Sequence, residues 1–212
     1  MEGVRHFTRT SISAFTFIVS LLAMSGLAPS AESAAQGSIT GVVTHGGPLA
    51  NALVQVKVKP GGLEIGGLDT MLIVVEAKGG SFQPQMAAVM VGQPLEFKNS
   101  DGVLHSIRGA SKVNPEFHLK IDPEKKGARV RFAKSEPGFS VKCDVHPHES
   151  AYVAVMSHPY FAVTGRDGRF TIDNLPDGKY ELEAWHERFG SRTVSAVVKR
   201  GTARVKIALK SN

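Results

Sequence analysis

The chain has 212 residues, of which 42% are hydrophobic and 21% are charged, and its formal net charge is +6. This length suffices for one large or two small domains with real cores, and the 22 glycines and 11 prolines favour β structure rich in turns. The lysines and arginines are scattered and no aromatic RNA-binding pattern accompanies them, so nucleic acid is excluded as an expected partner.

The first 35 residues have the pattern of an export signal. Arg5 and Arg9 give a positive start, residues 12–24 form an uncharged apolar run, and small residues lead to a cleavage site after Ala35. The alternative is an uncleaved N-terminal anchor, but the apolar run is short against the roughly 20 residues that a membrane span requires. We therefore predict a periplasmic protein with no membrane attachment after cleavage.

Alternating apolar residues predict the first strands of the mature chain. Residues 37–60 alternate on both sides of a Gly-Gly-Pro turn, which predicts two strands. A further apolar strand is predicted over residues 71–76. Residues 87–91 and 95–98 alternate around a Gly-Gln-Pro segment, which predicts a strand, a turn and a second strand.

In the middle of the chain, the sequence predicts a strand that begins near His105 and, after it, a long irregular segment. A turn over residues 99–102 precedes His105, which we expect at the start of the next strand. Residues 111–127 are charged and contain two prolines. We predict that they form a long loop across the sandwich, with His118 exposed to solvent.

A predicted strand–loop–strand element contains the only cysteine of the chain. Strands are predicted over residues 128–133 and 138–143, and the second of them ends at Cys143. A tight loop through Pro147 leads to a return strand over residues 152–155.

The side chains of this loop have the chemistry of a metal site. His146 follows Cys143 by three positions, and Glu149 follows His146 by three more. A thiolate and an imidazole at this spacing can both reach one metal ion, and His105 is the best candidate for a second imidazole. Cysteine, two histidines and a weaker fourth group form the ligand set of trigonal copper sites.

A lone cysteine in an exported protein also needs an explanation. It cannot form an internal disulfide, and an exposed thiol is at risk of oxidation in an oxidising compartment. The simple alternative is an inert cysteine that fills a core. The position of Cys143 beside His146 favours metal ligation, which would hold the sulfur as a thiolate.

The C-terminal part reads as a second sandwich. Strands are predicted over residues 169–172, 180–185, 193–198 and 203–209, separated by Asp-Gly turns and other short loops. We expect Trp185 to fill the core of this sandwich.

The metal-site half resembles the cupredoxins, whose pattern is a first histidine after an Asn-x-Asp-like turn and then Cys-x-x-His-x-x-Met. The matching residues are Asn99, Asp101, His105, Cys143 and His146. The resemblance implies a Greek-key β-sandwich that binds one copper ion through His105, Cys143 and His146. The chain has Glu149 where the family has an axial methionine, and Ser106 where an asparagine commonly follows the first histidine. Glu149 either binds the metal axially or turns into solvent.

The wider run over residues 80–190 is similar to periplasmic proteins of the methylamine utilization type, which join a cupredoxin to a carboxypeptidase-regulatory-like, transthyretin-like β-sandwich. The opening motif of that second domain lies in residues 37–60, but its DGRF continuation arrives only at residue 167. The resemblance therefore implies a discontinuous sandwich of residues 37–60 and 159–212, interrupted by a copper domain of residues 68–158. The alternative is two sandwiches in tandem.

Sequence signatures of enzymes are absent, because the chain has no phosphate loop, no HExxH and no GxSxG. Multicopper oxidases need several His-x-His pairs, and the chain has one, at His146 and His148. We expect a mononuclear copper protein that carries one electron and is not an enzyme. An acidic redox protein would suit its positive charge. The alternatives are a copper-handling protein without electron transfer and a structural β-module with a decayed site.

Overall fold

The computed structural model describes residues 37–57, 67–124 and 126–210. The predicted export signal, residues 1–35, lies outside this part of the chain. A single turn of 3-10 helix covers Leu68–Thr70. The strands in chain order are β1 Gly37–Thr44, β2 Leu53–Val56, β3 Ile73–Ala77, β4 Phe82–Gln83, β5 Met86–Met90, β6 Leu95–Asn99, β7 His105–Gly109, β8 Phe117–Ile121, β9 Gly127–Val130, β10 Glu136–Cys143, β11 Ser150–Met156, β12 Phe161–Val163, β13 Arg169–Leu175, β14 Gly178–His186, β15 Gly190–Val198 and β16 Thr202–Ala208.

Strands β3–β11 form what we call the central sandwich. One sheet has the order β5-β11-β10-β7-β8 and the other the order β4-β3-β6-β9. Alternation decides which side chains enter its core: Leu95 and Phe97 of β6 are buried, whereas Lys98 is exposed. The same period of two places Cys143 at the end of β10 on the core face of its sheet, because successive side chains of a strand point to opposite faces.

Strands β1, β2 and β12–β16 form the outer sandwich. Its sheets have the orders β13-β1-β16 and β12-β2-β14-β15. Strand β1 pairs antiparallel with β13 and parallel with β16, while β2 lies between β12 and β14. Each of the two sheets therefore combines one strand from the start of the described chain, β1 or β2, with strands from its C-terminal part. The division of the chain into domains that fold as units remains a prediction.

A small apolar cluster joins the two sandwiches. Its buried members are Leu53, Met86, Ala154 and Met156, and the half-buried Trp185 packs against them. Leu182 and Ala184 of β14 face the core of the outer sandwich, so Trp185 points to the opposite face of the strand. The prediction that Trp185 fills the core of its own sandwich is therefore wrong.

Residues 111–127 are not one long loop, because β8 lies within them. Strand β8 pairs antiparallel with β7, with His105 opposite Ile121 and Arg108 opposite His118. Phe117, Leu119 and Ile121 turn towards the core. The strand forms an edge of its sheet and leaves its alternate residues in solvent.

The predicted fold class, all-β with two β-sandwiches, is confirmed. The segments predicted around residues 87–91 and 95–98 are strands, but they do not pair with each other. Strand β5 joins the sheet of β11 and β6 joins the sheet of β3, so the turn between them crosses from one sheet to the other. Within the described residues, no helix has both the length and the apolar character needed to cross a membrane.

Candidate metal centre

Three of the four candidate ligands lie at the end of β10 and in the loop that leads to β11: Cys143 ends the strand, and His146 and Glu149 belong to the loop. Strands β10 and β11 pair antiparallel up to Lys142 and Ser150, which fixes both ends of the loop. The backbone N–H of Cys143 donates to the carbonyl of Glu149 at 3.1 Å, and the N–H of Glu149 donates to the carbonyl of His146 at 2.9 Å. These bonds fold residues 143–149 into one compact turn.

The fourth candidate, His105, comes from the neighbouring strand β7. Ile107 lies opposite Cys143 in the pairing of β7 with β10, and the N–H of Asp144 donates to the carbonyl of Ser106 at 2.8 Å. The loop before His105 is shaped by Asn99, whose Oδ1 accepts from the N–H of Asp101 at 3.1 Å. Its amide nitrogen donates to the carbonyl of Val103 at 2.6 Å.

One ligand atom from each of His105, Cys143, His146 and Glu149 lies within 4.8 Å of all the others. The sulfur of Cys143 is 3.9 Å from Nδ1 of His105 and 3.7 Å from Nδ1 of His146. Oε2 of Glu149 is 2.9 Å from the first of these nitrogens and 3.4 Å from the second. The structure thus brings the four predicted residues together, and their role as ligands remains a prediction.

These separations fit one shared ion. A nitrogen and a sulfur that bind one ion at about 2.0 and 2.3 Å, with roughly 120° between the bonds, lie about 3.8 Å apart. A nitrogen and an oxygen at about 2.1 Å are roughly 2.9 to 3.4 Å apart for angles between about 90° and 110°. The atoms need little movement to enclose a metal, and such a set of thiolate, imidazoles and carboxylate suits copper or zinc.

Glu149 does not turn into solvent. Its side chain is 2% exposed and contacts both histidines of the group. We expected this carboxylate either to bind a metal or to be exposed to water. That expectation left out a third environment, because the two histidines supply polar partners for the buried carboxylate. His148 has the opposite environment, since it is exposed and lies outside the group of four.

One residue of this group, His146, is open to solvent. The side chain of His146 is 27% exposed, whereas that of His105 is fully buried and Cys143 is 2% exposed. An approaching ion would therefore meet the side chain of His146 first.

A polar network that the sequence did not reveal lies beside the ligand loop. Arg108 donates to Asp144 from two guanidinium nitrogens, at 3.0 and 3.3 Å, and this bond lowers the pKa of the Asp144 carboxyl. His118 is exposed as expected, but its Nε2 lies 2.6 Å from the hydroxyl of Ser106 and 3.5 Å from Asp144. The pairing of β7 with β8 brings these residues together, and the predicted loop hid that pairing.

Comparison with known proteins gave one family-model match and a set of matches to solved structures. The search of curated proteins found no match. Among solved structures, amicyanin from Paracoccus versutus (Thiobacillus versutus) shares 14% identity, with 40% of this chain and 81% of that chain covered and a TM-score of 0.36. A mutant of amicyanin in its Cu(I) form shares 18% identity, with 49% of this chain and 98% of that chain covered and a TM-score of 0.35.

The family model that matches is the carboxypeptidase regulatory-like domain, over residues 144–210. The match begins in the loop between β10 and β11 and includes β11, which belongs to the central sandwich. Most of it covers β12–β16 of the outer sandwich. The C-terminal part of the chain is therefore similar to the carboxypeptidase regulatory-like domain.

Proposed function

We propose that this protein binds one copper ion through His105, Cys143, His146 and Glu149 and carries one electron. The observation that carries the proposal is the convergence of a lone thiol with two imidazole nitrogens and a carboxylate within 4.8 Å. Strands that lie side by side in one sheet hold these residues, although β7 and the β10–β11 loop are far apart in the sequence.

Copper suits this set better than other divalent ions do. Thiolate and imidazole are the ligands that copper favours, and Cu(II) binds a given site of this kind more tightly than Zn(II). Zinc accepts the same ligand types, so it is the main competitor. Cys143 supplies the single soft ligand, which gives copper its advantage over harder ions.

The positions of the residues support electron transfer. When bound, copper supplies a one-electron couple between Cu(II) and Cu(I). Cys143 and His105 lie at strand ends, and hydrogen bonds close the loop that holds His146 and Glu149. Ligands held in this way change position little between the two states, while the partly exposed side chain of His146 offers a short route to a partner.

A copper-handling role without electron transfer is the second candidate. The buried carboxylate of Glu149 favours it, because a hard oxygen donor stabilises Cu(II) relative to Cu(I). A site that has lost metal binding is less well supported, since loss of function would not be expected to keep four metal-binding side chains within 4.8 Å of one another. In either role we propose a binding protein rather than an enzyme, exported to the periplasm by residues 1–35. Its expected partner is an acidic redox protein rather than nucleic acid.

Copper titration of the chain without residues 1–35 tests the proposal. We expect one bound copper, a thiolate-to-copper absorption band and a Cu(II) paramagnetic signal. The Cys143→Ser variant should lose the band, because it lacks the only sulfur of the group. His118→Asn is the matched control, since it removes an imidazole beside the group without touching it, and its spectrum should not change.

The outcomes separate the candidates. An absorption band that persists in Cys143→Ser contradicts the site, whereas preferential binding of zinc in a competition experiment contradicts the assignment of copper to it. Voltammetry then distinguishes a carrier, which has a reversible potential, from a protein that only holds copper.

A further inference from the structure

The ring of His105 has a second nitrogen that faces away from the candidate ligands. This Nε2 atom is buried, and within the described residues it is the buried side-chain polar atom that has no hydrogen-bond partner. Oδ2 of Asp101 lies 3.7 Å from it, and the Asp101 side chain is 16% exposed. A carboxylate thus stands just beyond hydrogen-bond distance from an unsatisfied ring nitrogen.

The chemistry of imidazole makes this contact important. Nδ1 of His105 is the atom that faces Cys143 and Glu149. A neutral imidazole that binds a metal through the lone pair of Nδ1 carries its proton on Nε2. A buried N–H group needs an acceptor, and a shift of about 0.7 Å would bring Oδ2 to a hydrogen-bond distance of about 3.0 Å.

The surroundings of Asp101 hold its carboxylate in place for this task. Its Oδ1 accepts a hydrogen bond from the N–H of Gly79 at 2.6 Å, which ties it to the turn between β3 and β4. Its own backbone N–H donates to Oδ1 of Asn99 at 3.1 Å. One carboxylate oxygen is therefore anchored, and the other is left to face His105.

We propose that Asp101 is the hydrogen-bond acceptor that keeps a proton on Nε2 of His105 and so leaves Nδ1 available to the metal. Asp101 is then a positioning residue and not a ligand. Its effect on copper binding rests on the proposed function, whereas the hydrogen bond itself does not. Replacement of such outer partners of metal-bound histidines typically weakens metal binding about 10- to 100-fold.

Asp101→Asn separates this role from a structural one. The amide has the shape of the carboxylate, and its single oxygen can keep the hydrogen bond from Gly79. Its NH2 group then turns towards Nε2 and donates, which places the His105 proton on Nδ1. A purely structural role predicts a mild effect of this variant, whereas the proposal predicts copper binding weaker by about 10- to 100-fold.

Two further variants complete the set. Asp101→Ala removes the acceptor without adding a donor, so its loss of copper affinity should be smaller than that of Asp101→Asn. Asp122→Asn removes another carboxylate of the central sandwich, one that pairs with Lys120 at 3.4 Å, and should leave copper affinity unchanged.

Nitrogen NMR of the His105 ring in a Glu149→Ala background gives a readout that needs no metal, because this change removes the carboxylate that lies 2.9 Å from Nδ1 and would accept a proton there. We expect a protonated, slowly exchanging Nε2 in this background and an unprotonated Nε2 when Asp101→Asn is added. An Nε2 proton that persists when Asp101→Asn is added overturns the proposal, and so does an affinity loss in Asp101→Asn no larger than in Asp101→Ala. If the parent binds no copper while the NMR signal changes as expected, the hydrogen bond stands and the proposed function fails.

Discussion

Nδ1 of His105 lies 2.9 Å from Oε2 of Glu149, although 44 positions separate the two residues in the sequence. Both side chains are buried. The carboxylate therefore stands where a fourth ligand would stand, with histidine nitrogens as its neighbours. This arrangement makes Glu149 the residue through which the properties of the site can be tuned.

Replacing Glu149 should raise the reduction potential of the copper-loaded protein. A carboxylate is a hard, charged donor that favours Cu(II), so Glu149→Met should favour Cu(I) and give a bluer spectrum. We expect the ratio of Cu(II) to Cu(I) affinities to change about tenfold, or about 59 mV for one electron. Glu149→Gln keeps the shape and removes the charge. Parent-like spectra and potentials in both variants would show that the carboxylate is not a ligand.

A fragment of residues 160–212 should not fold alone. It lacks β1 and β2, which occupy inner positions in both sheets of the outer sandwich, so its apolar core would be exposed. The backbone N–H of Val56 donates to the carbonyl of Tyr160 at 3.0 Å. A short linker from residue 57 to residue 160 should therefore restore folding. NMR dispersion and a cooperative melt measure this, and a folded fragment without β1 and β2 would contradict the predicted discontinuous domain.

Trp185→Ala should loosen the contact between the sandwiches and leave the metal centre intact. The Trp185 ring lies 5.8 Å from that of Tyr152, centre to centre. Full burial of a tryptophan is worth about 3–5 kcal/mol on truncation to alanine, so we expect roughly half of that for this half-buried ring. Chemical denaturation measures the loss, with Trp185→Phe as the conservative control. A changed copper spectrum would contradict the separation of the two regions.

Stability should fall as the pH drops below the ordinary histidine pKa of 6.5. Burial lowers the pKa of His158 from that value, so the unfolded chain takes up a proton before the folded chain does. The loss begins near that pH and is complete below the lowered pKa of the folded state. His158→Asn should reduce this slope because it removes the titrating ring. The asparagine oxygen can still accept from the N–H of Tyr160, as Nδ1 of His158 does at 3.2 Å.

A second histidine provides the internal check for that experiment. Burial also lowers the pKa of His186, whose Nδ1 accepts from the N–H of Arg188 at 3.2 Å. Some pH dependence should therefore remain in His158→Asn and should decrease further when His186→Asn is added. An unchanged slope of the free energy of unfolding in the double variant would contradict the assignment.

The sequence predicted best what depends on local pattern. Alternation and Pro147 indicated two strands around the ligand loop, and β10 ends at Cys143 as predicted. His105 also begins its strand as predicted. In both places the strand pattern and the turn residues agree, so little depends on the rest of the fold.

The predictions for β8 and Trp185 were wrong because residues distant in the sequence determine the structure there. Strand β8 is an edge strand, and its exposed residues together with the flanking Pro115 and Pro123 resemble a loop. The alternation of β14 shows that Trp185 and Leu182 lie on different faces, but only the neighbouring sandwich makes the face of Trp185 apolar. The contact between His105 and Glu149 likewise requires two strands to pair first.

The parallel pairing of β1 with β16 has a consequence for the order of folding. The hydroxyls of Ser38 and Thr202 lie 2.9 Å apart across 164 positions, and Nδ1 of His45 meets the carbonyl of Leu209 across the same separation. Contacts this distant must overcome the entropy of closing a very long loop, which makes them slow to form. Strand β1 is the first of the described strands to leave the ribosome. We expect it to become ordered only after β16, the last of them, has been synthesised.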